Sequence, residues 1–309
     1  MTAFAALAGL ATALGRPWRT RFAPAPTGWL HLGHVVNAIW VWGLARAHGG
    51  RVLLRIEDHD RGRCRAEHER DILDDLEWLG FVPDDGRGPG GRLDFRQSDH
   101  GARYAAALDA LDEARRVYAC TCSRRDIAAV AGGAMNEETR YPGTCRERGV
   151  PREATAARRV RLDDGAEAFV DLRLGPQRQR PSEQCGDLLV RDRHGDWTYQ
   201  WCVVVDDRDQ QVDVVIRGED ILGSTGRQVA LARLLGRAAP PRYLHHPLIR
   251  HPGGAKLSKA NRDTGIRDLR AAGRSPAEVL GMAAQASGLV SERRAVRVEE
   301  LAALLSVSS

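Results

Sequence analysis

The residues best suited to chemistry lie in two short stretches far apart in the chain. The first is Thr20 to His34, T-R-F-A-P-A-P-T-G-W-L-H-L-G-H. Arg21-Phe22 reads as the end of a short buried strand, Pro24, Pro26 and Gly28 break it, and a helix opens near Gly33. A strand, a tight turn and a helix N-terminus make a ready anion site, because unpaired N–H groups and the positive end of the helix dipole point outward there. His31 and His34 flank Gly33, so two imidazoles border a position where a ligand can approach bare backbone. The second stretch is K-L-S-K. Of 46 basic residues only Lys256 and Lys259 are lysines. A chain that otherwise uses arginine has kept a compact, flexible ammonium at two sites three residues apart, which suits the binding of a phosphate chain.

Sulfur gives a third candidate. Cys120, Cys122 and Cys145 fall within 26 residues of one another, among six cysteines in all. That spacing suggests a metal before a disulfide. Structural zinc takes four ligands in a tetrahedron, and no histidine lies between residues 101 and 193. The fourth ligand must then be unusual, with Tyr141 a candidate. The isolated Cys64, Cys185 and Cys202 read as ordinary thiols.

These residues need a scaffold, and the chain supplies one in order. Val35 to Ala47 has helix length and an apolar face, and His48-Gly49-Gly50 ends it. Val52 to Ile56 reads as a buried parallel strand, followed at its C-terminal end by Glu57, Asp58, His59 and Asp60. Open α/β sheets bind ligands at that edge, which makes Glu57 a site candidate. Glu67 to Leu79 is an amphipathic helix closed by Gly80. A short strand is expected around Phe95 and a helix from Arg103 to Ala114. Residues 158–193 offer short strand-like pieces separated by Asp, Gly and Pro turns. The sheet pattern then resumes at Tyr199 to Val205 and at Val212 to Ile216. A helix over Gly226 to Leu235 and a strand-like Leu244 to Ile249 follow. The β-α-β-α alternation predicts a doubly wound parallel sheet.

The expected organisation is a poorly ordered tail over residues 1–18 and a Rossmann-type domain over 19–116 and 196–265. An inserted α+β zinc-containing domain is expected over 117–195 and a short helical region over 266–309. The hydrophobic content of 43% suffices for real cores, yet no apolar run approaches the ~20 residues that span a bilayer. No positive charge precedes the apolar part of residues 1–15, so a secretory signal fits poorly and a cytoplasmic chain is expected. The net charge of +5 is compatible with a phosphate-rich partner without demanding one.

Together the stretches R-F-A-P-A-P-T-G-W-L-H-L-G-H (21–34), R-I-E-D (55–58), V-V-V-D-D (203–207), I-R-G-E-D (216–220) and K-L-S-K (256–259) resemble the glutamyl branch of class I aminoacyl-tRNA synthetases. Within that branch the chain is most similar to the shortened glutamyl-queuosine tRNA(Asp) synthetases. Only about 50 residues follow K-L-S-K, the lysine motif continues Ala260-Asn261, and C-T-C is followed by Y-P-G-T-C. The resemblance implies activation of L-glutamate by ATP with Mg, independently of tRNA. Transfer to the queuosine base of tRNA(Asp) follows, by a monomer.

The resemblance also implies a structural zinc on Cys120, Cys122, Tyr141 and Cys145. It assigns ATP to His31, Gly33, His34, Lys256, Ser258 and Lys259, with His31, His34 and Lys259 catalytic. Glutamate is assigned to Arg21, Phe22, Ala23, Pro24, Ala25, Glu57, Tyr199 and Arg217. Three departures stand out: a long Cys122–Tyr141 gap, Ala25 where the family commonly has serine, and the unusual segment 177–186. The rival readings are a truncated enzyme charging the tRNA 3′ end, a small-molecule nucleotidylyltransferase and a silent RNA-binding relative.

Overall fold

The computed structural model describes residues 5–88, 92–131, 139–151, 156–249 and 265–306. Two short helical turns, α1 (Ala5–Ala8) and α2 (Leu10–Leu14), precede β1 (Trp18–Phe22), α3 (Leu32–Ala47) and β2 (Gly50–Leu54). Then come α4 (Ala66–Leu79), α5 (Gly101–Glu113), β3 (Val117–Cys120), α6 (Arg124–Ala131) and β4 (Ala157–Val160). The hairpin β5 (Glu167–Asp171) and β6 (Gly175–Gln179), the four-residue α7 (Pro181–Gln184) and β7 (Leu188–Arg191) follow. The chain returns through α8 (Tyr199–Asp209), β8 (Val214–Gly218), α9 (Thr225–Leu234) and β9 (Arg242–His246). It ends with α10 (Ile266–Ala271), α11 (Pro276–Ala286) and α12 (Leu301–Ser306).

β1 pairs in parallel with β2, and β8 with β9, which in turn pairs in parallel with β5. A backbone bond from Asp213 N to Arg19 O, 2.8 Å, brings β8 beside β1. Both faces of the sheet are covered, as strand alternation requires. Val214, Ile216 and Leu244 pack with α3, whereas Val215 and Tyr243 pack with Val229 of α9. The expected doubly wound parallel sheet is therefore present.

Helix α3 is apolar nearly all round because the sheet lies on one side of it and α11 and α12 on the other. Gly43 makes the second contact possible: a Cβ there would sit 2.4 Å from Leu305 Cδ1 and 3.1 Å from Leu301 O. Burying Leu301 and Leu305 against it contributes about 1.5–3 kcal/mol each.

Four sequence expectations come out differently. Residues 5–14 form helical turns, with Leu7 fully buried in the main core, so the described part of the expected loose tail is packed where an apolar surface was available. Tyr199–Asp209 is helical. Its apolar residues 201–205 are buried on every side, and such a run carries no period to separate helix from strand. Around Phe95 the described residues form no strand but two isolated bridges, Ile56 with Arg96 and Arg87 with Leu93. Finally, the β5–β6 hairpin falls by sequence within the expected 117–195 insert, yet it hydrogen-bonds to β9 along the main sheet. The β3-β4-β7 sheet shares its core with α5, α8 and α9, through Val117, Val160 and Val190 against Trp201, Val205 and Leu231.

Candidate active site and cysteine cluster

A cleft of about 470 Å³ opens at the C-terminal ends of β1, β8 and β9. Of the residues singled out from sequence, Arg21, Ala23, His31, Gly33, His34, Glu57, Tyr199 and Arg217 all line it. Phe22, Pro24 and Ala25 do not. Phe22 packs on Trp42 in the core, with ring centroids 5.3 Å apart, and Ala25 is exposed. The backbone oxygens of Phe22 and Pro24 instead accept from Arg55 N and Glu57 N, both at 3.0 Å, and so hold the acidic segment in place. Lys256, Ser258 and Lys259 lie outside the described residues. The segment that carries them leaves from Ile249, a wall of the cleft, and returns at Gly265, which bridges to His31.

The histidine turn is built from the backbone up. His31 caps α3: its Nδ1 accepts from Gly33 N at 3.1 Å, while His31 N donates to His34 Nδ1 at 3.1 Å. The two imidazoles thus do the work of a capping box, with ring centroids 3.9 Å apart. Because both Nδ1 atoms accept, the proton of each neutral ring belongs on Nε2, away from the backbone. The space above Gly33 is taken by the His31 ring, since a Cβ there would meet His31 Cε1 at 3.0 Å. The glycine thus admits an imidazole, where the sequence suggested room for a ligand.

The floor of the cleft is ionic. Arg55, fully buried, donates to Glu57 Oε1 at 3.0 Å, Asp207 Oδ1 at 2.8 Å and Gln210 Oε1 at 2.8 Å, with Asp206 at 3.9 Å. Arg21 donates to the same Asp207 oxygen at 3.3 Å. Burial works against the Arg55 charge, but the carboxylates around it outweigh that and raise its pKa. Tyr199 stands at the edge of this group. Burial and the nearby Glu57 charge push its phenol up, so it remains a neutral hydrogen-bond donor.

Arg217 differs from the other two arginines. It is 4% exposed, and its guanidinium donates to His245 Nε2 (3.0 Å), Gln228 Oε1 (2.7 Å) and Thr225 Oγ1 (2.8 Å). No described carboxylate pairs with it. A buried cation held only by neutral acceptors is costly to leave uncompensated, and its site favours an anionic ligand. Sequence reasoning missed Asn37, Asp220 and His246, which also line the cleft. Asp220 lay in a quoted motif, but neither Asn37 nor His246 carries a local signal.

In the second candidate site, Sγ of Cys120, Cys122 and Cys145 all lie within 4.8 Å of one another. Cys122 and Cys145 are 3.5 Å apart, and the Tyr141 hydroxyl is 3.5 Å from Cys120 Sγ. Tetrahedral zinc with ordinary bond lengths puts sulfurs about 3.8 Å and a sulfur–oxygen pair about 3.5 Å apart, so three sulfurs and this phenol fit. Burial opposes ionisation of Cys145, but hydrogen bonds from the Thr121 backbone, Cys122 and Tyr141 outweigh it and hold the thiol down, to about 7. The Arg159 guanidinium lies 3.6 Å over the Tyr141 ring and donates to Cys120 Sγ at 3.4 Å, placing positive charge beside the cluster. Gly186, at φ +67°, lets Tyr141 approach; a Cβ there would sit 2.1 Å from Tyr141 O.

The sheet order and the cleft at its strand ends define a class of protein. The family model for the catalytic domain of class I tRNA synthetases (E and Q) matches residues 17–298. A glutamate tRNA ligase from Elizabethkingia meningosepticum, solved in complex with its amino acid, superposes with a TM-score of 0.77 at 25% identity. That match covers 93% of this chain, which spans 64% of the length of the ligase. A curated glutamyl-Q tRNA(Asp) synthetase from Symbiobacterium thermophilum is 44% identical over 292 residues, covering 91% of this chain and 90% of the relative. One from Bordetella bronchiseptica is 48% identical over 246 residues, covering 78% and 74%. The chain belongs to the glutamyl-Q tRNA(Asp) synthetase family and is a ligase. No helix among the described residues is long and apolar enough to cross a membrane.

Proposed function

We propose that this ligase activates L-glutamate with ATP in the absence of tRNA and transfers it to the queuosine base in the anticodon of tRNA(Asp). The observation that carries the amino-acid half is Arg217, a buried guanidinium on the cleft wall with only neutral partners. Glutamate brings two carboxylates and one ammonium. Arg217 takes one carboxylate, Arg21 lies at hand for the other, Glu57 faces the ammonium and Tyr199 donates a neutral hydrogen bond. The floor arginine Arg55 donates to Glu57 Oε1 and so fixes it for that role.

Activation is attack of the glutamate α-carboxylate on the α-phosphorus of ATP, releasing pyrophosphate. The protein's part is positioning and charge stabilisation, with no protein nucleophile. His31 and His34, each with its proton on Nε2, donate to phosphate oxygens as charge builds. Lys259 and Lys256, with Ser258, hold the departing pyrophosphate; their segment leaves from Ile249 on the cleft wall and returns at Gly265, which bridges to His31. Magnesium bound with ATP would supply further charge neutralisation. In the second step an RNA hydroxyl attacks the mixed anhydride and AMP leaves. Cys120, Cys122, Tyr141 and Cys145 would hold a zinc ion that pins β3 to the 139–151 segment, a structural role.

ATP–pyrophosphate exchange should depend on glutamate and run without tRNA, and glutamate should be esterified to queuosine-containing tRNA(Asp) but not to the queuosine-free form. Transfer to the 3′ end of tRNA(Glu) is the second reading, favoured by the superposition on the solved ligase. Exchange that requires tRNA(Glu) would replace the first reading with it.

A further inference from the structure

Arg217 is useful to a substrate only if its guanidinium is held in one orientation, and the holding groups come from two strands distant in sequence. Asp171, on β5, is 1% exposed and His245, on β9, is fully buried. Asp171 Oδ2 accepts from His245 Nδ1 at 2.6 Å and from His245 N at 3.0 Å. Its Oδ1 accepts from the backbone N–H groups of Arg173 (2.9 Å) and Leu174 (2.8 Å). Burial pushes the Asp171 carboxyl up, but these bonds outweigh it and hold it below the ordinary value. Burial lowers the His245 pKa, and the bond to Asp171 does not fully offset this, so the ring is neutral.

One proton, donated to Asp171 from Nδ1, leaves Nε2 as an acceptor, and that is the atom to which Arg217 Nε donates. Gln228 and Thr225 take one N–H each from the two Nη atoms. A guanidinium has five N–H groups, so two remain, the number a carboxylate accepts in a forked pair.

We propose that Asp171 and His245 form a positioning pair that fixes Arg217 through its Nε and leaves its two remaining N–H groups for a substrate carboxylate. This rests on the reading of Arg217 as a glutamate ligand. His245 touches no substrate; it acts by setting where Arg217 can be. The Asp171 side chain reaches the site because the β5–β6 hairpin is zipped to β9.

The test is glutamate-dependent pyrophosphate exchange, with KM for glutamate and KM for ATP measured separately. His245→Phe keeps ring volume and removes the acceptor. It should raise the glutamate KM roughly 10- to 100-fold, the worth of one hydrogen bond to a charged group, while leaving the ATP KM within about twofold. His245→Gln, which restores an acceptor, should recover part of the loss. In an Arg217→Ala background, His245→Phe should add little to the glutamate KM, since the group it positions is gone. Equal rises in both KM values, or full additivity with Arg217→Ala, would overturn the positioning role. If His245→Phe does not fold, Asp171→Asn is read by the same criteria. Should Arg217→Ala leave the glutamate KM unchanged, the substrate reading itself fails, an outcome distinct from failure of the pair.

Discussion

Replacing Arg55 tests the ionic floor most directly. Arg55→Met removes a buried guanidinium that lies 3.0 Å from Glu57, 2.8 Å from Asp207 and 3.9 Å from Asp206, and puts a side chain of similar length in its place. At an effective dielectric near 20, each 3 Å pair is worth about 5 kcal/mol gross, most of it offset by the desolvation of both charges. The net cost of stranding the acids is about 3–5 kcal/mol.

Its pH dependence has a definite sign. In the native protein, burial pushes Asp207 up, but Arg55 and Arg21 outweigh it and hold the carboxyl below its ordinary value. A depressed folded pKa contributes stability that is present above the unfolded value and lost as pH falls through the folded one. In the variant the larger counter-charge is gone, burial dominates, and Asp207 costs stability as pH rises. The gap between native protein and variant should therefore be widest near pH 8 and narrow towards pH 4. Urea unfolding at both pH values measures it. A loss under about 1 kcal/mol at pH 8, or the same loss at both, would mean that Arg55 does not hold these acids in their charged, buried positions.

Other expectations follow from the same geometry. Burial lowers the pKa of His246 from 6.5 to about 4, and its Nε2 is within hydrogen-bond distance of Asn37 Nδ2 at 3.0 Å. It therefore contributes stability above pH 6.5 that is lost as pH falls towards 4, on the order of 3 kcal/mol; thermal melts of His246→Asn should fall less steeply over that window. Metal analysis should find one zinc per chain, lost in the double variant Cys120→Ser/Cys145→Ser; a fully folded, zinc-free native preparation would remove the metal reading. Lys259→Ala should lower pyrophosphate exchange by at least about 100-fold with little change in stability, and near-native exchange would end the role given to K-L-S-K.

Features that depend on neighbours along the chain could be read from the residues alone. The Thr20–His34 turn, with a strand before it and α3 after it, follows from proline, glycine and the apolar run, and the structure places its two histidines on the cleft. The cysteines were legible because C-x-C and Tyr141-to-Cys145 are short spacings. Glu57 was legible because it lies just past the C-terminal end of an apolar run that reads as a strand, which the structure ends at Leu54. Which distant groups meet is set by the folding of the whole chain. Arg55 finds Asp207 across 152 residues, Asn37 meets His246 across 209, and Asp171 reaches His245 from a hairpin that its sequence grouped with another unit. Hydrophobic period and turn chemistry constrain one element at a time, while strand order sets which side chains share a cleft, and no local pattern encodes that order. The same limit explains α8, where burial on all sides erased the period that would have told helix from strand.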